Sequence, residues 1–221
     1  MIGKIIRWVV GILFIPFVAG YAMAFTDQLL LIRQVHPPEL AFLLGVTGYL
    51  AFHAMITAPN RAYVFGHELM HATATWVSGG AVKGFRVGST KGSVTTNKVT
   101  AFIALAPYLV PVYSVLWAFL YGMAGLFWNV KPLVSWFFFG LGFSLAFHLT
   151  FTVTALKEKQ SDLDVTGPVL ALGLILWANI TFCVGVMALA IPEVQFTGYL
   201  GEGFHHTQEL YRRIFVQLFA H

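Results

Sequence analysis

Apolar residues in this chain run in long blocks, not in the short alternations of a soluble fold. Blocks long enough to cross a bilayer as helix, about 20 residues, cover roughly residues 5–25, 39–58, 100–126, 132–156 and 168–191. A sixth, 62–79, is interrupted by His67, Glu68 and His71, but its borders mark it as one helix. Thr57-Ala58-Pro59-Asn60-Arg61 reads as a tight turn, and Ser78-Gly79-Gly80 as a helix stop. Between it and the next block, residues 81–97 alternate Val, Phe and Thr with polar residues around Gly88-Ser89-Thr90-Lys91-Gly92, the pattern of a β-hairpin. From about 203 to 220, Leu210, Ile214 and Leu218 share one helical face while Glu209, Arg212 and Arg213 lie on others, which predicts an interfacial amphipathic helix. The expected fold is an all-α polytopic membrane protein with about six transmembrane helices and one β-hairpin inserted after the third helix. Open strand edges cannot face lipid, so that hairpin belongs at the interface or in a wet cavity lined by protein. Three segments follow: N-terminal membrane helices 1–60, a membrane core 61–191 holding the hairpin, and an amphipathic tail 192–221.

Composition agrees. The chain has 221 residues, 58% hydrophobic and only 10% charged, with mean hydropathy +0.77; soluble proteins carry about 25% charged residues. The net charge of +4 comes from basic residues scattered through short loops, so no basic face forms and nucleic acid is not an expected partner. Those residues divide nearly evenly between the two sides of alternating spans, and the positive-inside rule sets no orientation. The single cysteine, Cys183, lies in an apolar run, which excludes an intramolecular disulfide and a thiolate cluster. Lys4 and Arg7 before the first block, with Ala22-Met23-Ala24 after it, resemble a secretory signal, but the length of the block favours a retained anchor.

The chemistry is concentrated in His67-Glu68-Leu69-Met70-His71. On a helix, residues four apart share a face, so His67 and His71 can offer two imidazoles to one Zn²⁺, and Glu68, about 100° round, can serve as general base. Shuffled chains of this composition would show such a match roughly once in 90. Ionisable groups in a membrane helix cost on the order of 3 kcal/mol each unless paired. Three within five residues therefore call for a compensating partner, and a divalent cation suits all three.

Catalytic zinc of this kind takes a third protein ligand and leaves a position for water. Asp162 leads, with Asp164 and His148 as alternatives. His71 lies eight residues before Gly79, about 12 Å along the helix, so a carboxylate from the 157–166 loop must dip inward. Gly167 and Pro168 make an irregular, non-helical segment plausible there. His148, nine residues before Lys157 and so about 13 Å down its own helix, matches that depth and could also act beside the metal or on an oxyanion.

The order of a His-Glu-x-x-His membrane helix, a hairpin, a proline-bearing span at Ala106-Pro107-Tyr108 and an Asp-containing break about 90 residues after the motif resembles the site-2 protease family of intramembrane zinc metalloproteases. The likeness covers roughly residues 61–170. Familiar members carry Leu-Asp-Gly at the break. Here the chain reads Gln160-Ser161-Asp162-Leu163-Asp164-Val165-Thr166-Gly167-Pro168, which looks more like a divergent bacterial branch. The resemblance implies zinc on His67, His71 and Asp162, water activation by Glu68, and hydrolysis of peptide bonds in or near transmembrane segments of membrane-protein substrates.

A transmembrane helix has its carbonyls hydrogen-bonded and must unwind to be cut. The hairpin could hold the unwound stretch by strand addition, with Val87 and Val94 as candidate substrate contacts and Asn179 in the last span as another. A compact multi-pass chain of this type is expected in a bacterial inner membrane. The alternative is a catalytically inactive metal-binding membrane protein, a client-binding pseudoprotease or a transporter, although such a site has no need of Glu68. His53 is expected as a packed helix-face histidine, His205, His206 and His221 as solvated residues, and Pro107 and Pro111 as the cause of a kink.

Overall fold

A computed structural model describes residues 2–55, 60–158 and 161–219; residues 57–59 of the turn expected at 57–61, along with Lys159, Gln160 and His221, lie outside them. The chain forms helices α1 (Ile2–Leu31), α2 (Pro37–Met55) and α3 (Asn60–Val77), then strands β1 (Val82–Val87) and β2 (Gly92–Thr96). Helices α4 (Ala101–Leu109), α5 (Val112–Gly125), α6 (Val134–Lys157), α7 (Asp162–Thr166), α8 (Pro168–Ala190) and α9 (Phe196–Phe219) follow.

Among the described residues, three helical stretches are long and apolar enough to cross a membrane: Ile5–Leu31, Lys131–Lys157 and Pro168–Ala190. A fourth is added if α4 and α5, bent by 68° at their break, count as one. That is fewer than the six expected. Of the other two blocks, the described part of 39–58 ends at Met55, in a helix that opens on Pro37, Pro38 and Glu39, and α3 carries Asn60, Arg61 and the His-Glu-x-x-His run.

Two compact units are present, residues 37–165 and residues 1–36 with 166–221, a grouping that cuts across the three consecutive segments read from the sequence. In the unit 37–165, α2 and α6 lie side by side. Their backbones touch where Gly45 meets the Phe139 carbonyl and Gly142 the Phe42 carbonyl, positions with no room for a Cβ. Tyr49 packs edge-on to Phe147 and His53 to Phe151, so the two helices run parallel. Helix α5 runs antiparallel to α6, tied by Ser114 to Ser144 (2.9 Å) and by the Trp117 indole donating to the Phe137 carbonyl (2.9 Å). Helix α3 runs antiparallel to α4, with Gly66 against Val112 and Tyr113 just beyond the α4 end.

The expected helix stop appears at Gly79, whose φ of 72° is left-handed. The Gly80 amide donates back to the Thr75 carbonyl (2.8 Å), closing the end of α3. The hairpin is antiparallel, pairing Phe85 with Val94 and Val87 with Gly92, with an irregularity between Val82 and Gly84. Of the two prolines expected to kink the 100–126 block, Pro111 lies at the break and Pro107 inside α4.

In the other unit, Gly11 packs on Leu170, Gly173 on Phe14, and Phe17 on Trp177, so α1 and α8 run parallel. Helix α9 has the amphipathic pattern expected of the tail. It runs antiparallel along α1, with Gly20 against the Thr207 backbone, Gly203 against the Tyr21 ring and the Tyr211 hydroxyl donating to the Leu13 carbonyl. Glycines at these crossings let the backbones approach closely enough for side-by-side packing. Between the helices lies a core of Tyr21, Ala24, Val184, Ile191, Val194 and Tyr199.

Candidate metal centre

His67 and His71 sit one turn apart on α3, and the short helix α7 carries Asp162 to them. The His71 Nε2 lies 3.1 Å from His67 Nε2, and Asp162 Oδ2 is 3.4 Å from the first ring and 3.5 Å from the second. These three atoms form a nearly equilateral triangle. Tetrahedral coordination with metal–ligand bonds of about 2.0–2.1 Å places its ligands about 3.3 Å apart, so the three donors already stand at the edges of such a site.

The surrounding hydrogen bonds orient each ligand. His71 Nδ1 is 2.8 Å from the Ile103 carbonyl, which can only accept. Nδ1 therefore carries a hydrogen, and Nε2 is the ring atom turned towards the cluster. That carbonyl is available because the residue four positions on is Pro107, which has no amide hydrogen to close the helical bond. His67 Nδ1 meets the Tyr63 hydroxyl at 3.3 Å, and the Tyr108 hydroxyl donates to Asp162 Oδ2 at 3.1 Å. Burial alone would raise the Asp162 pKa, but hydrogen bonds from His67 and His71 outweigh it and hold the carboxyl well below its ordinary range. Asp162 is thus an anion at neutral pH.

Glu68 is buried beside this triangle. A cavity of about 320 Å³ is lined by His67, Glu68, His71 and Asp162 on one side and by Gly92, Ser93 and Val94 of β2 on another. A second cavity, about 340 Å³, opens on the other side of Glu68 and Gly92, lined by Tyr63, Thr90, Lys91 and Glu158. Gly92 is the point of contact: a Cβ there would lie 2.5 Å from Glu68 Cγ and 2.7 Å from its Oε1. Strand β2 pairs only with β1 among the described residues, so its other edge is open.

His67, Glu68, His71, Asp162 and Val94 thus meet at one cavity, and the others do not. The donor group holds Asp162 and neither Asp164 nor His148. Two residues on from Asp162, Asp164 is turned about 200° round the helix. On α6, Phe147 and Phe151 face the Tyr113 and Tyr63 rings, and His148 occupies a different side. Val87 closes the hairpin opposite Gly92 and does not line either cavity. Asn179 belongs to the other unit, where its amide donates to the Ile175 carbonyl. His53 is bonded to the Tyr49 hydroxyl at 3.1 Å. The segment expected to be irregular is instead a helical turn, ended by Gly167 at φ 90°. His206, expected to be solvated, is half-buried with its Nε2 2.7 Å from Asp27 Oδ2.

Sequence reasoning missed Tyr63, Tyr108, Gly92 and the Ile103 carbonyl. Two signals were available: Tyr63 stands four residues before His67, and Pro107 four after Ile103. No family model, curated protein or solved structure matches the chain.

Proposed function

We propose that this chain is an intramembrane zinc metalloprotease of the site-2 protease type, cutting peptide bonds in or near transmembrane segments of membrane proteins. The observation that carries this reading is the triangle of His67, His71 and Asp162 with Glu68 buried beside it, in a cavity bordered by an open strand edge. Zinc bound there would supply Lewis acidity, polarising a peptide carbonyl and making water nucleophilic near neutral pH. His67 and His71 offer lone pairs, and Asp162 offers an anionic oxygen that Tyr108 helps to hold in place. Glu68 takes the proton from the attacking water and returns it to the leaving amine. The open edge of β2, with Val94 facing the cavity, binds an unwound stretch of substrate as an added strand.

Helix directions support a finer membrane reading. Helices α2 and α6 run parallel, so if both cross the bilayer, the chain between them must cross a net odd number of times. The bent pair α4–α5 makes that return, and α3 and the hairpin form an excursion on the side where α2 and α6 end. Tyr63 stacks on Phe151 near that end of α6, with ring centroids 4.5 Å apart, and Asp162 follows α6 directly. Likewise α1 and α8 run parallel and α9 opposes them. The catalytic centre then lies close to one membrane face, where water is available.

The test is cleavage of a peptide spanning a transmembrane segment and its flanks by detergent-purified protein. Glu68→Gln should lower the rate by at least about 10²-fold, the scale of general-base catalysis, while retaining zinc. Equal cleavage by Glu68→Gln, or no cleavage by zinc-loaded wild type across a panel of membrane segments, would contradict the reading.

A further inference from the structure

A second group of metal-type donors lies in the unit formed by α1, α8 and α9. Asp27, Glu202 and His206 bring one carboxylate oxygen each from Asp27 and Glu202, and one imidazole nitrogen, within 4.8 Å of one another. We propose that these residues form a second divalent-cation site, independent of the first, that clamps α9 to α1.

The construction repeats that of the His67 site. Glu202 and His206 are four residues apart and share one face of α9, as His67 and His71 share one face of α3, and a carboxylate from another helix completes the set. The geometry is fixed by the backbone. A Cβ on Gly20 would lie 2.6 Å from the Thr207 nitrogen, and one on Gly203 would lie 2.6 Å from the Tyr21 ring. Helices in such close contact cannot slide, and their register holds His206 Nε2 at 2.7 Å from Asp27 Oδ2. Asp27 and His206 are partly buried and Glu202 is exposed, so the cluster is open to a cation from outside. A protonated His206 would offset only one of the two carboxylates, whereas a dication offsets both. One nitrogen and two carboxylate oxygens suit Zn²⁺ and its borderline neighbours better than Mg²⁺ or Ca²⁺, which prefer all-oxygen shells. The 2.7 Å edge is shorter than the roughly 3.3 Å of a tetrahedral site, so cation entry requires a small outward rotation of the two side chains.

The experiment uses full-length protein in detergent carrying His67→Ala and His71→Ala, which removes the first site whatever its function. After dialysis against micromolar Zn²⁺, elemental analysis should find about one zinc per chain. Adding Asp27→Asn or His206→Ala should remove it, and adding the neighbouring His205→Ala should leave it. Asp27→Asn preserves a hydrogen bond to His206, so it also separates cation binding from helix packing. Its melting temperature without metal should match the background, and the upward shift produced by Zn²⁺ should disappear. No zinc in the double-alanine background, or zinc undiminished by Asp27→Asn and His206→Ala, would overturn the proposal and leave an ordinary hydrogen-bonded pair.

Discussion

Pro107 decides which way the His71 ring faces, because its missing amide hydrogen leaves the Ile103 carbonyl free to accept from His71 Nδ1 at 2.8 Å. Pro107→Ala would restore a competing helical hydrogen bond. Zinc affinity should then fall by about 10–100-fold, the usual cost of losing an orienting partner, as measured by competition with a chelator; unchanged affinity would show that the carbonyl plays no part. Tyr108→Phe removes the hydroxyl on Asp162 and should weaken zinc binding on the same scale. Gly92 acts on the other function. Alanine there would press into Glu68, so Gly92→Ala should slow cleavage by about 10²-fold, the effect of misplacing a catalytic group by about 1 Å, with zinc content unchanged.

Among the elements, the hairpin and the break before α8 divide the work of the site. Replacing Val94 by proline removes an amide hydrogen from β2 and bars strand addition. Cleavage should be abolished while zinc stays bound; wild-type cleavage would exclude β2 as the substrate strand. The hairpin was legible because strand alternation and a Gly-Ser-Thr-Lys-Gly turn are local signals. So was the pairing of His67 with His71, which depends only on helical spacing. The sequence puts Asp162 ahead of Asp164, but the face of α7 that meets α3, which separates the two in the structure, is not a local signal. Tyr108 and Gly92 were hidden for the same reason: each acts across a contact distant in sequence.

At the scale of the whole molecule, apolar blocks marked where helices form but not which way they run. The amphipathic pattern of the last segment does not say which helix it packs on; Gly20 and Gly203 set α9 along α1. The polar α3 is likewise helical without being apolar enough to cross by itself. If α3 does not cross, Arg61 at its start and Ser89 in the hairpin turn face the same side. Single cysteines at these positions, in a Cys183→Ser background, should react with a membrane-impermeant maleimide from the same side of oriented vesicles. Labelling from opposite sides would restore α3 as a span.

The account stands on His67, His71 and Asp162 holding one zinc beside Glu68. Its most direct test is the zinc content of purified protein in which Asp27→Asn and His206→Ala have removed the other donor group. This background should carry about one zinc per chain, retained after Glu68→Gln, Asp164→Ala or His148→Ala and lost after His71→Ala or Asp162→Ala. Zinc retained by Asp162→Ala, or none bound by the background protein, would contradict it.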